Sequence, residues 1–132
     1  MKNLFAFLML FGIITQPLFA QKKAEWKEMK DFHTVMSKTF HPSEENNLKP
    51  LREMSKDLVS KAEAWKNSSV PEGYDAKLVS PILNKLLDKC KAIDKAIPAG
   101  ASDAELKIMI TEAHDVFHEI MEKCRPGVGD KH

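Results

Sequence analysis

The chain has no block or stripe of basic residues, no second long apolar run after its first twenty residues, and only two cysteines. The lack of a basic patch argues against nucleic acid as a partner. The missing second apolar run excludes a membrane span once the leader is removed. Two cysteines, Cys90 and Cys124, would by composition alone favour one disulfide in an exported chain, though the chain is long enough to bury a core without it. Period-two alternation is also missing, and with it any signal for strands. There is no internal repeat, no low-complexity tract, no phosphate-binding glycine loop and no histidine-flanked nucleophile. Nor do the Glu-x-x-His pairs of di-iron bundles occur, since Glu112 is two residues from His114 and off its face. The chain is therefore read as non-enzymatic.

What is present begins with a leader. Met1-Lys2-Asn3 is a short positive segment, Leu4 to Ile14 is apolar, and Thr15-Gln16-Pro17 breaks the helix before Leu18-Phe19-Ala20. That order predicts a signal peptide over 1–20, cut before Gln21, and a periplasmic or secreted protein. About eleven apolar residues fall short of the roughly 20 needed to span a bilayer. Residues 21–126 form one domain and 127–132 a polar tail. Without Lys2 the mature part balances 19 basic against 19 acidic residues.

Helical periodicity recurs four times. From Lys22 to Phe40, Trp26, Met29, His33, Met36 and Phe40 share one face, and His41-Pro42-Ser43 is expected to end that helix. A second helix runs from Leu48 or Pro50 to Lys66, with Leu51, Met54, Leu58, Ala62 and Trp65 inward. Ser80-Pro81 reads as the start of a third, with an extra turn from Asp75 as the alternative. It runs to Ile97 with Ile82, Leu86, Cys90, Ile93 and Ile97 inward. Ser102-Asp103-Ala104-Glu105 is a capping box for a fourth, which continues to Arg125. Its inward face is Leu106, Ile110, Ala113, His114, Phe117, Met121 and Cys124. Short loops favour an all-α, antiparallel up-down-up-down four-helix bundle.

In such a bundle, helical rise sets the height of each residue. At about 1.5 Å per residue, His33 and His114 stand about 15 and 16 Å from one end, and Met29 and His118 about 9 and 10 Å. Imidazoles and a thioether on facing helices at matching depth are the makings of a metal centre. His114 and His118, at i and i+4, can bind one ion together, and His33 adds a third nitrogen. Met29 or Met36 suits cuprous copper, whereas zinc calls for a carboxylate, water or thiolate. His41 with Glu44 or Glu45 is a candidate for a second, surface ion, set against a plain helix cap. The same heights separate Cys90 from Cys124 by about 12–20 Å, beyond the reach of about 7 Å for a disulfide. Both are expected to be unpaired.

The pattern resembles the periplasmic four-helix-bundle cytochromes, the superfamily of soluble cytochrome b and cytochrome c-prime. It spans nearly all the mature chain. The resemblance implies haem held by a methionine early in helix one and a histidine late in helix four, positions matched by Met29 and by His114 or His118. Glu112-Ala113 stand where c-type members carry cysteines, which excludes covalent haem and leaves haem b. The expected function is binding of copper or zinc for sequestration or delivery. The alternatives are a b-type haem protein for electron transfer and a structural or partner-binding bundle with no cofactor. No protein partner is named by the sequence, and it allows a monomer or a dimer.

Overall fold

The computed structural model describes residues 25–124; the leader, the helix end expected at Arg125 and the tail 127–132 lie outside them. Four helices form, with no strand among the described residues: α1 Lys27–Glu44, α2 Lys49–Lys66, α3 Ala76–Ala96 and α4 Asp103–Lys123. None is long and apolar enough to cross a membrane.

Helix α1 does not stop at Pro42. It passes through it and ends a turn later, at Glu44. Proline forfeits only one N–H, and near a C-terminus that loss is small beside the packing of Phe40 and Ser43, both buried. The stop comes instead from Asn46, in the left-handed region at φ 63°. Its N–H reaches the Ser43 carbonyl, and that of Asn47 the Pro42 carbonyl, at 2.9 Å each. This is a Schellman turn with asparagine in the usual glycine place. Helix α3 leaves through a similar turn at Gly100, φ 92°, where Ala101 N–H returns to Ala96.

At the other end α3 starts a turn before Pro81, with the Asp75 carboxylate accepting from the Lys77 N–H as its cap. The alternative start from Asp75 is the one observed. The capping box of α4 forms as expected: the Ser102 hydroxyl accepts from the Glu105 N–H, and the Glu105 carboxylate from the Ser102 N–H.

One apolar core runs through all four helices. Trp26, before α1, meets Trp65 near the end of α2 and Tyr74 just before α3, with ring centroids 5.7 and 5.0 Å apart. The Asp75 N–H donates to the Cys124 carbonyl after α4. Elsewhere Ser55 of α2 donates to Asp94 of α3, and Arg52 of α2 pairs with Asp103 of α4 at 2.7 Å. Lys107 of α4 reaches Asn46 Oδ1 at 2.9 Å and the Glu44 carbonyl at 3.5 Å. Helices adjacent in sequence pack extensively, and α1 meets α4 along the thinnest seam.

The inward faces of α1 and α4 keep Trp26, Met36, Phe40, Leu106, Ile110, Ala113, Phe117 and Cys124 as expected, but each is turned enough to move its histidines off the core. Phe32, Val35, Met36, Thr39, Phe40 and Ser43 are buried on α1, whereas His33 is exposed. On α4 Val116, Phe117 and Ile120 are buried and His114 lies at the margin. Where the sequence offers Phe32 beside His33, burying the phenyl ring removes more apolar surface and spares an imidazole its desolvation. The histidines thus line the edge of the core and do not enter it.

Candidate metal centre at the seam of α1 and α4

Residues four apart on a helix lie on the same face, which brings His114 and His118 together. Their ring centroids are 4.4 Å apart and their Nε2 atoms 3.2 Å apart. The His114 ring lies flat on buried Phe40 of α1, 3.7 Å between centroids at an interplanar angle of 11°. Its side chain is 22% exposed and that of His118 46%, so the pair is anchored yet open to solvent.

Carboxylates stand behind both rings. Asp115 Oδ1 is 4.0 Å from His114 Nδ1, and Glu122 Oε1 is 3.8 Å from His118 Nδ1. Neither distance is a hydrogen bond, but negative charge on the Nδ1 side favours a proton there, the tautomer in which Nε2 can bind a metal. The two Nε2 atoms face each other at hydrogen-bond distance, a spacing that either a shared proton or a cation between them can satisfy. Imidazole nitrogens at about 2.0–2.1 Å from a tetrahedral ion stand about 3.3 Å apart, close to the spacing of this pair. Burial, and after it the charge of His118, lowers the His114 pKa, with His41 acting the same way and Asp115 and Glu44 opposing. The imidazole is thereby kept in the neutral form that metals need.

The other candidates are distributed along the same seam or away from it. His33 stacks on Phe117 at 5.4 Å, and Phe117 meets His118 edge-on at 5.8 Å. His41 sits on the last turn of α1, tilted against Phe40 at 5.5 Å, with Nδ1 3.0 Å from Glu44 Oε1. All four described histidines thus belong to one succession of rings: His33, Phe117, His118, His114, Phe40, His41. Met29 is half-buried, its sulfur taking a hydrogen bond from the Tyr74 hydroxyl at 3.8 Å, and Met36 is inside the core. Neither placement assigns a thioether to the histidine pair. Among the described residues no three His, Cys, Asp or Glu side chains stand together as a ready site for an ion, so the pair supplies two ligands and not a closed shell.

Cys90 and Cys124 are both buried and free. Cys124 lies beside the start of α3, about 22 Å along that helix from Cys90 at about 1.5 Å per residue. Burial pushes the Cys90 thiol up to about 12 and also raises Cys124, so neither is poised as a thiolate.

Sequence projection missed the carboxylates behind the rings and the stacking of Phe40 on His114. Glu122, four residues after His118, was the legible signal for the first; the second needed the tertiary contact. Set beside known proteins, the chain matches no family, no curated protein and no solved structure.

Proposed function

We propose that this is a non-catalytic, exported transition-metal-binding protein, with His114 and His118 as the primary ligands and a role in holding or delivering copper or zinc. One observation carries the reading: two Nε2 atoms 3.2 Å apart, each on a ring whose Nδ1 faces a carboxylate. An antiparallel up-down-up-down bundle frames the site. Its support is the set of contacts joining helix starts to the ends of their neighbours, such as Trp26 to Trp65 and Ser55 to Asp94.

A structural reading competes on the same atoms, because a single N–H···N hydrogen bond can also join the two rings. Titration of metal-free protein with zinc and with copper(II) decides between them. One ion per chain is expected in the wild type and none in His118→Ala; no binding by the wild type sinks the reading. Haem b, held by Met29 or His33 and by His114 or His118, is the further alternative. Elemental analysis and an absorption spectrum of protein purified from the periplasm separate the two, since a Soret band marks haem. The mass of that protein tests cleavage before Gln21.

A further inference from the structure

Two imidazoles leave half of a four-coordinate ion open, and the seam offers two further histidines, His33 and His41. They differ in how they are held. His33 is exposed on the Phe117 ring, with no carboxylate at ion-pair distance among the described residues. His41 has Glu44 at its Nδ1, 3.0 Å away and hydrogen-bonded, where Asp115 and Glu122 stand on the Nδ1 side of His114 and His118 at 4.0 and 3.8 Å. Three histidines therefore share a carboxylate on the Nδ1 side, as metal-binding imidazoles do.

Placement agrees. The His41 ring lies within about 9 Å of the His114 ring, since both flank Phe40. Lys107 of α4 holds the Glu44 carbonyl and Asn46, which fixes the last turn of α1 over α4. Because α1 continues through Pro42, His41 and Glu44 are at i and i+3 of a helix and not in a loose loop. The His41 side chain is 65% exposed, so rotation about its χ angles costs little packing.

We propose that His41, oriented by Glu44, swings across the seam as the third ligand of the His114–His118 ion, and that this ion is a borderline divalent cation such as zinc or copper(II) and not cuprous copper. The proposal rests on the metal-binding reading above. Three imidazoles with nearby carboxylates form a nitrogen and oxygen set, whereas the soft thioethers of Met29 and Met36 lie in other surroundings. His41 and Glu44 thus belong to the same site as the pair and not to a separate surface ion.

Zinc calorimetry on the full mature chain, with cobalt(II) absorption as a second readout, tests this in His41→Ala, Glu44→Gln, His33→Ala and His118→Ala. The first three alter exposed side chains, and circular dichroism verifies that each keeps its helices. His41→Ala is expected to weaken zinc at least about tenfold and to change the visible cobalt bands. Glu44→Gln, an outer-shell change, weakens zinc about tenfold, and His33→Ala leaves it unchanged. Wild-type affinity in His41→Ala, with binding lost in His118→Ala, overturns the third-ligand proposal and spares the metal reading. Wild-type affinity in His118→Ala overturns both.

Discussion

Two aromatic clusters divide the molecule, and their chemistry is opposite. In the first, Trp26, Phe32 and Trp65 are buried beside half-buried Tyr74, and the indoles fill space. In the second, along the seam of α1 and α4, two buried phenylalanines carry four imidazoles whose edges reach solvent. Rings of similar size thus serve cohesion in one place and presentation of nitrogen in the other. Exposure makes the difference: a buried ring contributes its area, while one at the margin keeps its lone pairs available.

The largest effect should come from breaking the first cluster. Trp65→Ala removes a side chain that is 0% exposed, and a loss of about 3–5 kcal/mol is expected in urea denaturation. If the two regions are as distinct as their chemistry suggests, variants at the seam will do far less to the fold and far more to binding. Zinc at about one hundred times its Kd should stabilise the wild type by about 2.7 kcal/mol, read as a rise in Tm, and should not stabilise His118→Ala. An equal rise in that variant would remove the pair from the site.

A finer comparison concerns one hydrogen bond. The Trp26 indole N–H donates to the Ser68 hydroxyl at 2.8 Å. Trp26→Phe should cost about 0.5–1.5 kcal/mol through that bond, leaving zinc affinity as it was. A change in affinity would show that the clusters are coupled, with Phe117, which meets both Trp65 and His118, as the physical link.

Acid gives the smallest signal. His114 has a folded pKa below the ordinary 6.5, chiefly through burial, so the unfolded chain takes up its proton first. The contribution of neutral His114 is present in full above 6.5 and is lost as pH falls from there toward the depressed folded value. Urea midpoints of metal-free protein at several pH values should show this decline, and it should shrink in His114→Gln. An unchanged decline would assign it to another group.

Much of the local structure was legible from residue order. Ser102 and Glu105 announced the start of α4, and the limits of α2 agree with its periodicity. The errors have a common origin. Pro42 and Ser80-Pro81 look like boundaries because proline and the residue before it disfavour helix locally, with Asp75 the other start open for α3, yet packing of Phe40, Ser43 and Val79 carries both helices past those points. Periodicity alone points His33 inward because a 3.6-residue period cannot choose between neighbours on a helix; the apolar volume of Phe32 makes that choice.

By itself, then, the sequence determined the four helices of the described residues, how several of them begin, and that His114 and His118 share a face, because caps and periodicity act over a few residues. Only the tertiary structure decided which way α1 and α4 turn, that Phe40 stacks on His114, and that His41 and His114 meet the same phenyl ring. Those outcomes depend on competition for one core between side chains far apart in the chain, and that competition has no local signature.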